Sequence, residues 1–139
     1  MTYLLDTNVI SEPTQKRPNM GLLAWLTAAD EDSLFLSVVT ITELRYGIQR
    51  LAAGKRRQNL DDWLSNDLSR RFGPRILPID VTIADACGRL LAQSSSLGRP
   101  IQPADAFIAA TAEVHGMTLV TRNVSHFQNA VKRILTPWT

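Results

Sequence analysis

Apolar residues fall into short runs of strand length, separated by stretches in which they recur at helical spacing. The runs are Tyr3-Leu4-Leu5, Leu34-Phe35-Leu36-Ser37-Val38, Arg75-Ile76-Leu77-Pro78-Ile79, Met117-Thr118-Leu119-Val120-Thr121 and Val131 to Leu135. Between the first two, Leu22, Leu23, Leu26 and Ala29 form one stripe behind Asn19, a residue type that caps helix N-termini. Ile41, Leu44, Ile48 and Leu51 mark a helix beginning near Thr40 and closed by Gly54. Leu60, Trp63, Leu64 and Leu68 mark another, stopped by Phe72-Gly73-Pro74. Ile83, Cys87, Leu90 and Leu91 follow Asp80, read as an N-cap, and Pro103-Ala104-Asp105 opens a small-residue helix that ends at His115-Gly116. Strands that alternate with helices predict an α/β fold of three layers: a short parallel sheet of about five strands, helices on both faces and right-handed crossovers.

In a parallel sheet the strands end on one edge, so the residues after each run matter. The first run stops at Asp6-Thr7-Asn8. Glu43 is expected in the first turn of the helix after the second strand, on a stripe with Thr40, Gly47 and Arg50. Asp105 is expected in the first turn of the helix that feeds the fourth strand. Each acid alone has an ordinary explanation, as a turn cap, an exposed helical acid or a carboxylate favoured by the helix dipole. Together they fall on the carboxyl edge, where ligands bind near a topological switch. Three carboxylates gathered without basic partners repel, and a hard divalent cation is the natural counter-charge. Mg²⁺ or Mn²⁺ suits an all-oxygen site, whereas Zn²⁺ asks for His or Cys at a spacing absent here. Such an ion acidifies bound water and stabilises charge on a phosphoryl oxygen. Gly47, inside a helix, points to the close approach of a metal, a phosphate or a packed neighbour.

Bulk properties narrow the class. The 139 residues predict one domain spanning 1–139, with enough apolar content to form a core without disulfides. No apolar run approaches membrane-spanning length, and the start lacks a basic region and cleavage site, so a cytoplasmic protein is expected. Cys87, at apolar helical spacing, reads as a core residue. The net charge of +2 identifies no partner. Its distribution is uneven: Lys55, Arg56, Arg57, Arg70, Arg71 and Arg75 outnumber Asp61, Asp62 and Asp67 in one stretch. Bases at both ends of that helix either meet phosphates or simply face solvent.

Four ordered segments carry a family resemblance: Leu4 to Glu12, Thr40 to Gly47, Pro103 to Ala112 and Leu119 to Asn123. They resemble the successive motifs of PIN-domain proteins, most closely the VapC toxins and their FitB-like branch. Thr136-Pro137-Trp138 resembles the Asn-Pro-Trp ending common there. The resemblance implies the toxin of a type II toxin–antitoxin pair, a Mg²⁺- or Mn²⁺-dependent endoribonuclease that uses a metal-activated water. It also implies a homodimer and a small antitoxin partner encoded alongside. By motif position, Asp6, Glu43 and Asp105 are the implied catalytic and metal-binding residues. Thr7 and Asn8 support the site or its water, and Thr121 and Asn123 line the same edge. Arg50, Lys55, Arg56, Arg57 and Arg122 are the bases expected to meet RNA, and the hairpin from Ile41 to Phe72, with Tyr46 and Trp63, is expected to receive the partner. Trp63 alternatively belongs to the core stripe.

The chain departs from the family pattern where many relatives carry a fourth acid, at Asn123 or close to His126. Asn123 retains a carbonyl oxygen for a metal or its water. Three carboxylates favour one tightly held cation, with a second arriving only with the substrate phosphate. His126 reads either as a phosphate donor or proton carrier, or as a structural histidine, and His115 as a helix C-terminal residue. Two other functions are compatible with these residues. One is a non-catalytic nucleic-acid-binding module regulated by a partner protein. The other, a phosphohydrolase of small phosphoesters, is opposed by the lack of a Gly-rich phosphate loop and of a second Asp two residues after Asp6.

Overall fold

A computed structural model describes all of residues 1–139. The elements run β1 (Tyr3–Leu5), α1 (Thr7–Ser11), α2 (Met20–Ala28), β2 (Leu34–Ser37), α3 (Val38–Gln49), α4 (Lys55–Asp62), a π-helical stretch (Trp63–Leu68), α5 (Ser69–Phe72), β3 (Ile76–Leu77), α6 (Val81–Ser96), α7 (Pro103–His115), β4 (Thr118–Val120), α8 (Val124–Phe127) and β5 (Ile134–Leu135). The five strands form one sheet ordered β3-β2-β1-β4-β5, and every pairing is parallel. Leu4 pairs with Phe35 and Leu119, and Leu5 with Val120, so β1 is the central strand.

Successive side chains of a strand point to opposite faces, and the two central leucines divide the core accordingly. Leu5, Leu34, Leu36 and Val120 pack beneath Val9, Leu22, Leu44, Ile48, Leu64 and Phe72 on one face. Leu4 and Leu119 pack beneath Ile108, Ala109 and Ala112 of α7 and Phe127 of α8 on the other. Leu4 and Leu5 are both fully buried, a contribution of about 1.5–3 kcal/mol each. A smaller cluster joins Ile83 and Cys87 of α6 to Ala106 and Ala110 of α7, which places Cys87 in the core as expected.

Side-chain caps fix the helix starts. Asn19 accepts from Leu22 N at 3.1 Å, Ser37 from Val39 N at 3.1 Å and Asp80 from Ile83 N at 2.9 Å. Pro103 opens α7, and Gly116, at φ +65°, closes it in the left-handed conformation. The C-terminal segment lies against α2. A Cβ at Gly21 would stand 2.7 Å from the Pro137 carbonyl oxygen, and Asn19 Nδ2 donates to the Thr139 carbonyl at 3.0 Å. Glycine at position 21 is what permits that approach.

Several boundaries differ from the sequence expectation. β3 is two residues long because Pro78 has no N–H to extend the ladder, and β5 keeps only Ile134–Leu135 of the expected run. Ser37 caps α3, so that helix begins at Val38; Thr40 is therefore buried, and Glu43 lies in the second turn rather than the first. Gly54 stands at the start of α4 rather than closing α3, which ends at Gln49. Nothing lies within 4 Å of a Cβ at Gly47, so the close approach expected there is not made within the chain. Trp63 is half-buried against the larger core, whereas Tyr46 is 63% exposed. α8 was not foreseen, since four residues are too few to show a period. No helix is long and apolar enough to cross a membrane.

Candidate active site

From β1 the chain proceeds to β2 and β3 on one side, then crosses to β4 and β5 on the other. The direction of winding therefore reverses between β1 and β4, and a crevice opens at their carboxyl ends. Asp6 directly follows β1 and Thr121 directly follows β4. Their register is locked by the backbone, since Asp6 N donates to the Val120 carbonyl at 2.9 Å.

Asp6 is 5% exposed, and its carboxylate is held by three donors from this chain. Thr7 N donates to Oδ1 at 2.8 Å; Thr121 Oγ1 and Asn8 Nδ2 donate to Oδ2 at 2.7 and 3.2 Å. The Thr121 hydroxyl itself accepts from Asn123 N at 3.0 Å, which fixes its direction toward Asp6. Asn8 Oδ1 accepts from Arg122 N at 3.2 Å, so Asn8 ties β1 to the loop after β4. Thr7 Oγ1 donates to Glu43 Oε1 at 2.6 Å and stands 3.3 Å from Thr40 Oγ1. On the other flank His126 Nδ1 lies 3.5 Å from Asp105 Oδ2.

The charge balance of this edge is unusual. Burial pushes the Asp6 carboxyl above its ordinary pKa; hydrogen bonds from Thr121 and Thr7 oppose the shift, while the charges of Asp105 and Glu43 add to it. Burial likewise raises Asp105, opposed by His126. No Lys or Arg side chain bonds to Asp6 or Glu43. Glu43 and Asp105 thus lie within electrostatic reach of Asp6, with no Lys or Arg bound to Asp6 or Glu43 and only His126 beside Asp105.

The chemistry of this donor set, oxygen-only and acid-rich, fits a hard divalent cation. Its geometry is looser than its chemistry. No three His, Cys, Asp or Glu side chains are gathered closely enough to hold an ion as they stand. Glu43 is engaged by Thr7, and Asp105 faces His126, so ligation competes with both contacts.

Of the other residues singled out in the sequence, Thr7, Asn8 and Thr121 bond directly within this network. Asn123 joins through its backbone, and its exposed amide makes no hydrogen bond. Arg122 reaches the edge through its N–H, with its side chain exposed. No contact brings Arg50, Lys55, Arg56 or Arg57 to the acids. Arg50 lies over the Tyr46 ring at 5.3 Å, and Arg57 donates to Gln49 at 2.8 Å. Arg71 and Arg75 are bound to Glu31 and are not free to meet phosphate. One residue of the network was missed, Thr40, hidden by the earlier start of α3.

A family model described as "PIN domain" matches residues 3–132. The chain is 39% identical to "VapC ribonuclease Y4jK" of Sinorhizobium fredii, covering 97% of this chain and 96% of that one. It is 38% identical to "Toxin FitB" of Neisseria gonorrhoeae, covering 97% of each. The crystal structure of FitAcB from Neisseria gonorrhoeae superposes with a TM-score of 0.92 at 37% identity, covering 99% of both chains. On this match, which runs nearly end to end in sequence and in fold, the chain belongs to the PIN-domain family.

Proposed function

We propose that this protein is the toxin of a toxin–antitoxin pair and acts as an endoribonuclease dependent on Mg²⁺ or Mn²⁺. The observation that carries the reading is Asp6: a buried carboxylate at the switch point, with two further acids nearby and no basic partner. The naming of its relatives as ribonuclease and toxin supports both parts.

Asp6, Glu43 and Asp105 would hold the cation. Bound there, a hard divalent ion supplies Lewis acidity to the phosphate and acidity to water. The protein's own part is positional. Thr121 and Thr7 N pin Asp6 in one orientation, Thr7 Oγ1 aims Glu43, and Asn8 couples β1 to the loop that carries Arg122 and Asn123. Such outer-shell contacts fix ligand geometry before substrate arrives. With three acids and a neutral Asn123, one cation is held tightly in the free protein and a second enters only with the substrate phosphate.

The experiment is to express the chain alone and with the protein encoded beside it, then map RNA cuts with and without Mg²⁺ or Mn²⁺. Toxicity relieved by the neighbour, together with cation-dependent cleavage lost in Asp6→Asn, is the expected result. RNA binding without cleavage by the wild-type protein would replace this reading with that of a non-catalytic binder. Tyr46 is the exposed anchor for the antitoxin, and Trp63 serves the core. Tyr46→Ala is therefore expected to weaken the complex about tenfold or more, measured by calorimetric titration. A molecular mass of twice the chain in light scattering checks the expected homodimer.

A further inference from the structure

A cleft of about 680 Å³ opens beside Asp105, between the start of α7 and the segment that contains α8. Most of its lining residues carry polar side chains, among them Arg99, Gln102, Asp105, His126, Gln128 and Asn129. The side chains of Arg99, Gln102, Gln128 and Asn129 are exposed and make no hydrogen bond or ion pair within the chain. Arg45, Arg57, Arg71 and Arg75 are spent on Asp61, Gln49 and Glu31, whereas Arg99 is unpaired and lines this cleft. His126 leaves 56% of its side chain open to solvent, while Nδ1 faces Asp105.

These groups share a complementary partner. Three carboxamides present paired donors and acceptors of the kind that match the edge of a nucleobase. A flat imidazole offers a stacking face, and an unpaired guanidinium offers a phosphate contact. The volume lies within the range of sites that enclose small ligands and accommodates one nucleotide. We infer that this cleft binds a single nucleotide of an RNA strand adjacent to the bond being cut. Gln102, Gln128 and Asn129 read its base, the His126 ring stacks on it, and Arg99 meets its phosphate. The inference rests on the ribonuclease reading and makes the cleft a determinant of cleavage sequence.

The test begins with the full-length protein cutting an RNA pool of randomised sequence, with the products sequenced. The wild type is expected to show a base preference at a position flanking the cut. In the double variant Gln128→Ala/Asn129→Ala that preference flattens while cleavage persists, and Arg99→Ala raises KM about tenfold. His126→Phe, which keeps a flat ring but loses the Asp105 contact, retains the preference, whereas His126→Ala loses it. Identical base distributions in the wild type and the double variant would overturn the inference and leave the ribonuclease reading intact. If the wild type cuts no RNA, that reading fails, and the cleft is judged separately by NMR of the Asp6→Asn protein titrated with the four nucleoside monophosphates. Shifts in the side-chain amide signals of Gln102, Gln128 and Asn129 that inorganic phosphate does not reproduce support the site. No shifts, or the same shifts with phosphate alone, overturn it.

Discussion

Asp6 and Glu31 are acids at opposite edges of the same sheet, and their surroundings differ in burial and in the charge of their partners. Glu31, in the turn before β2, is gripped by Arg71 through Nε at 2.7 Å and Nη2 at 3.0 Å. Arg75 adds bonds to the Glu31 and Leu34 carbonyls, both at 2.6 Å, and both guanidinium groups lie against the Phe72 ring. Glu31 is accordingly held below its ordinary pKa, chiefly by the Arg71 hydrogen bond. Asp6 is equally well hydrogen-bonded, but its donors are neutral, and burial raises its pKa against their pull, with the Asp105 and Glu43 charges adding to the shift. No buried side-chain nitrogen or oxygen anywhere in the chain lacks a partner. Hydrogen bonding is therefore satisfied at both edges, and only charge is left uncompensated at Asp6. The arginine-paired acid fastens α5 to β2. The unpaired one is left with a charge that no basic side chain balances.

The sharpest way to break this contrast is Asp6→Asn, which removes the uncompensated charge while retaining the side chain's size. RNA cleavage is expected to fall by more than about a hundredfold, with the circular dichroism spectrum preserved. Unchanged activity would strip Asp6 of its role. Thr121→Val, nearly isosteric, deletes the hydroxyl that orients Asp6 and is expected to cost about ten- to a hundredfold in activity or cation affinity. A loss confined to thermal stability would make Thr121 merely structural. Cation binding itself gives a third measure. At a hundred times Kd, a single-site ligand stabilises the folded state by about 2.7 kcal/mol, so Mg²⁺ or Mn²⁺ is expected to raise the wild-type Tm and leave Asp6→Asn unmoved. Equal shifts in both proteins would place the ion elsewhere.

The contrast also shows why parts of this molecule were legible in its sequence and others were not. Period and caps located the strands, their parallel direction and the acids' common edge, but not the strand order. The local part was legible because Leu4-Leu5-Asp6 and Pro103-Ala104-Asp105 carry their structure within a few residues. Asp80 and Asn19 declared themselves as caps for the same reason. Pairings across long separations did not show. Nothing local tells that Arg71 and Arg75 close on Glu31, forty and forty-four residues away, so a basic run that suggested phosphate contacts is partly a clamp. The same limit hid the contact of Asp105 with His126 and the bond from Thr121 to Asp6, 115 residues apart. A one-residue detail mattered too: Ser37 caps α3, which turned Thr40 inward and moved Glu43 up a turn.

The smallest expected effect tests the compensated acid. Because Glu31 has a lowered pKa in the folded protein, its pairing stabilises the fold above the unfolded carboxylate range, about pH 4.3, and that contribution is lost as pH falls through the folded value. Arg71→Ala removes most of it. Glu31 and Arg71 keep 45% and 39% of their side chains exposed, so solvent screening limits the pair to about 1 kcal/mol or less. The Tm difference between wild type and Arg71→Ala is expected to be no more than about 4 °C at pH 7 and to shrink as pH is lowered below about 4.3. A difference that stays constant across that range would mean that Arg71 acts through its packing on Phe72, at 4.9 Å, rather than through charge. The edge opposite Asp6 would then be held by apolar contact, and the electrostatic contrast between the two acids would rest on Arg75 alone.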